Sequence, residues 1–192
     1  MKKLLFVAIA LCGFTVARSQ ALAAPSTNTI HTTLNLANVL ELQVNGDNDD
    51  VDAYMSASFG SEEDYENGVV LAQTGNFSGQ TVPFSYSSNR HVNISVKSAA
   101  ANFTYSGSIN NTGDNVMPCS VLSWQLVGNN TGGTGAATGW HALSTSTAAV
   151  ITNGEEGGDD TQNFGMQLMA NPGFNYIGGT YTLDVVVTAT QL

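Results

Sequence analysis

From Thr180 to Leu192 the chain alternates with a period of two residues. Tyr181, Leu183, Val185, Val187 and Ala189 fall on one face of an extended backbone, and Thr182, Asp184, Thr188 and Thr190 on the other, with Val186 the one exception. Such a pattern buries one face of a strand but would scatter apolar groups around a helix. The Thr and Val content adds side chains that are stiff at χ1 and suit the pleated backbone. Gly178-Gly179 before it is a turn signal. The run therefore predicts a half-buried closing strand, which must pair with an earlier part of its own chain or with another chain.

Shorter versions of the pattern recur upstream. Ile30, Leu34 and Leu36 alternate with His31, Thr33 and Asn35, and Leu40, Leu42 and Val44 with Glu41 and Gln43, as two strands or one strand bulged at Ala37-Asn38. Strands are predicted at Ala53 to Phe59, Val69 to Leu71, Thr81 to Tyr86 and His91 to Lys97, with a further edge at Phe103 and Tyr105. Pro118 to Val127 follows, placing Leu122, Trp124 and Leu126 on a core face. Trp140, Leu143 and Ala149 to Ile151 mark short segments before the run Phe164, Met166, Leu168, Ala170. Gly128 to Gly135 reads as a flexible connection. Gly60 to Gly68 reads as a single helical turn, with Ser61 as N-cap, acids in the first turn and Asn67-Gly68 as the stop. About ten short strands separated by Gly, Asn and Pro predict an all-β fold, an antiparallel Ig-like β-sandwich with one short helical turn.

The N-terminus reads as a secretory signal peptide over residues 1–23. Met1-Lys2-Lys3 is basic, Leu4 to Phe14 is apolar, and Ala21-Leu22-Ala23 offers a small-residue cleavage signal. Neither this core nor any later stretch is long enough to span a bilayer as a helix. The expected product is a single exported domain, residues 24–192. Of the basic residues it keeps only Arg90 and Lys97, against fifteen acids. So acidic a chain argues against nucleic acid and against anionic membrane surfaces as partners, because both demand Lys and Arg in numbers. With Cys12 in the leader, Cys119 is left alone and reads as a small buried apolar residue.

The acids concentrate in three loops, Asp47 to Asp52, Glu62 to Glu66 and Glu155 to Asp160. The first invites a Ca²⁺ reading, with Asp47, Asp49, Asp50 and Asp52 as the candidate ligands. It is not an EF-hand, since Val51, Asp52 and Ser58 stand where that loop needs an oxygen ligand, a Gly and a Glu. His31, His91 and His141 are scattered rather than set at metal-ligand spacings, and no nucleophile elbow, phosphate loop or Cys-His signature occurs. The expectation is a protein without catalysis and with no cofactor beyond that calcium ion.

The layout resembles bacterial fimbrial subunits of the spore-coat-U and alternate chaperone-usher kind. The segments that carry the likeness are the leader, the alternating Ile30 to Leu36, "NISVKSAAANFTYSG", "MPCSVLSWQL", "QNFGMQLMANPGF" and the ending "GGTYTLDVVVTATQL". Trp124-Gln125-Leu126 adds a weaker similarity to WxL cell-wall-binding domains, whose second motif would place a Trp where Val186 and Val187 stand. The fimbrial families usually carry a disulfide, and the lone Cys119 departs from that. The resemblance implies a structural subunit of an extracellular fibre or surface layer at a bacterial cell surface, self-associating head to tail, with an export chaperone as a further partner.

The alternating N-terminal segment, residues 24–37, is the candidate assembly strand, with Ile30, Leu34 and Leu36 as the inserted side chains. It can fold back on its own domain or enter a neighbour. The competing class is a monomeric cell-wall or carbohydrate-binding module, using Trp140 and the loops Asn129 to Thr138 and Asp47 to Asp52 as its surface.

Overall fold

The computed structural model describes residues 33–44, 52–74, 78–108 and 114–192. The sandwich belongs to the unit Leu36–Leu192, and Thr33 to Asn35 to the unit before it. In chain order, β1 (Leu40–Val44) and β2 (Met55–Ser56) are followed by helix α1 (Glu62–Asn67), β3 (Val69–Val70) and β4 (Ala72–Gln73). Next come β5 (Val82–Ser88), β6 (Val92–Ser98) and β7 (Thr104–Ser106), then a 3-10 turn at Cys119–Val121 that opens β8 (Leu122–Asn129). The two-residue strands β9 (Thr134–Gly135) and β10 (His141–Ala142) precede β11 (Ala148–Gly154), β12 (Asn163–Ala170), β13 (Thr180–Thr182) and β14 (Val185–Gln191).

Two sheets face each other. One runs β1-β5-β12-β8-β10, with β3 alongside the C-terminal half of β12, and the other runs β14-β6-β11-β9; β7 with β13 and β2 with β4 form separate pairs. Every strand pair is antiparallel. The alternation seen in the sequence decides which face goes in. Val82, Phe84 and Tyr86 of β5, Leu122 and Trp124 of β8, and Phe164 and Met166 of β12 meet Val92, Ile94 and Val96 of β6 and Val150 and Ile151 of β11. Each large aliphatic or aromatic side chain so buried contributes roughly 1.5–3 kcal/mol. Phe84 and Phe164 stand opposite each other in register and stack with centroids 5.1 Å apart. Val150 and Ile151 are adjacent in sequence and both buried, because the β11 register shifts there in a bulge.

The all-β antiparallel sandwich with one short helix is therefore as expected, while several element limits differ. The C-terminal run is two strands rather than one: Tyr181 of β13 pairs with Tyr105 of β7, whereas β14 pairs with β6. The break falls at Leu183-Asp184, where the Asp184 carbonyl accepts a bond from Ala99 N–H while Leu183 still packs on the core. A period of two survives a change of partner, so periodicity alone does not reveal it. Thr33 to Val39 carries no strand, and of Ala53 to Phe59 only Met55–Ser56 pairs.

Gly128 to Gly135 is not a flexible connection. Thr131 is fully buried, its N–H and Oγ1 donate to Asn129 Oδ1 (3.1 and 2.6 Å), and its carbonyl accepts from Glu155 N–H at 2.7 Å. Gly133 there packs against β11 so closely that a Cβ would lie 2.7 Å from the Thr152 carbonyl oxygen.

Helix α1 is held by a capping box. Ser61 Oγ accepts from Asp64 N–H at 3.3 Å, and Asp64 Oδ2 accepts from Ser61 and Gly60 N–H, both at 2.9 Å. The bond from Gly60, then those from Ser61, hold the Asp64 carboxyl below its ordinary value. A lowered value means the cap contributes stability above the unfolded-state range and loses it as pH falls through the folded value. An NMR titration should place Asp64 below the ordinary aspartate value, and Asp64→Asn should remove the acid-induced loosening of Glu62–Asn67.

Tyr86 pins the far end of the sandwich. Its hydroxyl donates to the Glu155 carbonyl at 2.8 Å, and its burial pushes the phenol above its ordinary range. The same oxygen leaves no room beside Gly154, where a Cβ would stand 2.5 Å away. Gly154→Ala should cost about 1–3 kcal/mol in urea unfolding by overpacking. Tyr86→Phe should cost about 1 kcal/mol, and in the double variant part of the Gly154→Ala cost should vanish because the clashing oxygen is gone.

Candidate functional site

The two long sides of the sandwich are built differently. On one side the chain passes between the sheets through β9 and β10, which cap β11 and β8 with two-residue strands. On the other side stand β1 and β14, one from each sheet, and among the described residues nothing pairs with their outer edges. The consequence shows within a single sheet. Val92, Ile94 and Val96 of β6, flanked on both sides, are 0–1 % exposed. Val185, Val187 and Ala189 of β14 point the same way and pack on the same core, but remain only half-buried. Leu42 and Val44 of β1 are half-buried for the same reason.

β14 pairs with β6 over its whole length without a register shift, and Val185–Gln191 contains no Pro and no charged residue. Bulges, charges and prolines are the usual means of blunting an edge, and among the described residues none of them blunts this one and no strand covers it. Its outward face is mild, with Val186, Thr188 and Thr190 exposed.

One clasp joins the two edges. The Gln191 side-chain amide donates to Ser88 Oγ at 3.0 Å and to the Val39 carbonyl, tying the end of β14 to the end of β5 and to the lead-in of β1. Leu192 N–H donates to the His91 carbonyl at 2.9 Å. Asn89 reinforces the same corner, its Oδ1 accepting from Val39 N–H (3.0 Å) and its Nδ2 donating to the Ala37 carbonyl (2.8 Å). Nothing in the hydrophobic pattern signals this clasp, because a glutamine at the end of a strand reads as ordinary polar termination.

Of the candidate assembly residues, Leu34 and Leu36 are 84 % and 81 % exposed and belong to no strand, while Ile30 lies outside the described residues. Of the candidate calcium ligands, Asp47, Asp49 and Asp50 lie outside the described residues and Asp52 is exposed. Among the described residues no three His, Cys, Asp or Glu side chains gather as a metal site. Trp140 is half-buried; Trp124 is in the core, with the His141 ring tilted over it at 4.8 Å. Cys119 is a free, buried thiol donating toward the Leu143 carbonyl at 3.7 Å. The Glu155 to Asp160 loop is anchored by Tyr86, and His91 Nε2 lies 3.4 Å from Glu156 Oε2 in an exposed pair. Among the described residues no helix is long and apolar enough to cross a membrane.

No protein-family model matches this chain, and no curated protein matches it.

Gln191→Ala should release the corner without unfolding the sandwich. Hydrogen exchange of Val39 to Leu42 should then accelerate, while β6 and β11 amides keep their protection.

Proposed function

We propose that this chain is a non-catalytic, exported structural subunit of an extracellular fibre or surface layer at a bacterial cell surface. Its copies join by β-strand complementation, residues 24–37 of one copy adding to the open side of the next, and an export chaperone keeps that side covered beforehand. The observation that carries this reading is the half-burial of Val185, Val187 and Ala189 beside the fully buried Val92, Ile94 and Val96 of β6, with no described strand on the outer edge of β14. The exposed Leu34 and Leu36 are apolar side chains of the right spacing in need of burial. Contacts of this kind are heterologous, so they propagate head to tail instead of closing on a dimer.

The test uses the exposure of Leu34. A carboxylate there is solvated in the free subunit, so Leu34→Asp should change unfolding by no more than about 0.5 kcal/mol. In a joined pair the same carboxylate would be buried unpaired in an apolar groove, at a cost of several kcal/mol, roughly. Size-exclusion chromatography of the protein from Ala24 onward should therefore show polymer for the parent and a folded monomer for Leu34→Asp. Deleting Ala24 to Leu36 should do the same, with the isolated peptide occupying the vacant edge. A parent that stays monomeric at every concentration, or fibres from the truncated protein, would sink the proposal.

A further inference from the structure

A second surface lies at the end of the sandwich where β6 and β12 finish and β5 and β14 begin. Six aromatic side chains outside the core gather there. Phe59, Tyr65 and Phe174 form one row, with centroids 5.4 Å and 5.3 Å apart and the Tyr65 and Phe174 planes only 23° from parallel. Tyr105, Tyr181 and Tyr176 form another, at 5.0 Å and 6.4 Å. Tyr65 and Asp114 both lie within electrostatic reach of the Tyr181 hydroxyl, which burial first, and then these neighbours, push above its ordinary range. Most of this cluster fastens α1 and the β7–β13 pair to the sandwich. Phe174 stacks on Tyr65 of α1 and is still 64 % exposed.

The chemistry around the rings selects a ligand. Two of the four tyrosine hydroxyls are spent on main-chain carbonyls: Tyr181 Oη donates to Ile177 at 2.9 Å, and Tyr105 Oη to Gly178 at 3.1 Å. Those two rings have no hydroxyl proton left to offer a sugar. Glu62 stands three positions before Tyr65 on the same side of α1, beside Glu63 and Glu66, and none of the three makes an ion pair among the described residues. The Asp114 carboxylate accepts from Val116 N–H at 2.8 Å. Of the Lys and Arg side chains among the described residues, Arg90 lies at the opposite end, and Lys97, near the end of β6, is on the outer face of its sheet. Electron-rich ring faces in a negative field attract guanidinium and ammonium groups. A second copy is a poor occupant, since its Arg90 end also brings Glu155, Glu156, Asp159 and Asp160.

We propose that this end of the sandwich docks an arginine-bearing segment of another protein, with a guanidinium over the Phe174 ring and Glu62 as its counter-charge. This is independent of strand complementation, because it uses the strand ends and not the β1 and β14 edges.

The test is an NMR titration of the protein from Ala24 onward with a Gly-Arg-Gly-Arg amide, observing aromatic ring signals. Expected are saturable shifts at Phe174 and Tyr65 that weaken with added salt, and an affinity about fivefold lower in Phe174→Leu, which keeps apolar bulk and every charge but loses the ring. Glu62→Gln should weaken binding as well. The same peptide with citrulline for arginine should shift neither ring. Unchanged affinity in Phe174→Leu, shifts confined to the Glu155 to Asp160 loop, or equal shifts from the citrulline peptide, a neutral oligosaccharide or raised protein concentration alone would each overturn the assignment.

Discussion

The sandwich depends on the burial of β6. Val92, Ile94 and Val96 lie between β11 and β14 and under the aromatic faces of β5, β8 and β12, and the ladder on each flank is set by their register. A one-residue slip of this strand would turn Asn93, Ser95 and Lys97 inward and expose the apolar set. The register of β14 thus follows from β6, and with it the placing of Val185, Val187 and Ala189 along the open side. With a single free, buried cysteine among the described residues, this packing does the stabilising that a disulfide does in small exported domains.

What could be read in the residues divides along physical lines. Strands with one apolar face were legible, since β6, β12 and β8 announce themselves by alternation, and α1 by a Ser61 N-cap, acids in its first turn and an Asn67-Gly68 stop. Structure built from main-chain hydrogen bonds was not. The Thr131 turn, β9 and β10 are held by Asn129, by backbone carbonyls and by glycines in close approach, none of which leaves a hydrophobic period. The C-terminal run misled for a related reason: its faces were right but it is two strands and not one, because side-chain period carries no record of which strand lies alongside. Of the candidate site, the exposed apolar pair Leu34 and Leu36 was visible in the sequence, whereas the Gln191 clasp was invisible without the pairing of β14.

The clasp also explains how an unpaired side can coexist with a defined fold. Gln191, Asn89 and the Val39 main chain close the corner where β1 enters and β14 ends, using polar groups that lose little by exchanging water for one another. Below that corner Leu42 and Val44 of β1 and Val185, Val187 and Ala189 of β14 meet the core by apolar contact, and there the burial is incomplete. Among the described residues the sandwich is thus fixed at one end of this side, and the outer edges of β1 and β14 pair with nothing along the rest.

Charge bears on the same point. The full chain has a formal net charge of −10, so two copies repel each other at separations beyond contact. That repulsion fades within a Debye length, roughly 8–10 Å at physiological ionic strength. Main-chain hydrogen bonds and apolar burial act only at contact, and neither β14 nor the outward faces of Val186, Thr188 and Thr190 carry a charge to oppose them. An acidic surface with an uncharged edge therefore separates two properties that hydrophobic surfaces confuse. Charge opposes the approach of one acidic face to another, and the uncharged β14 edge adds nothing to that opposition.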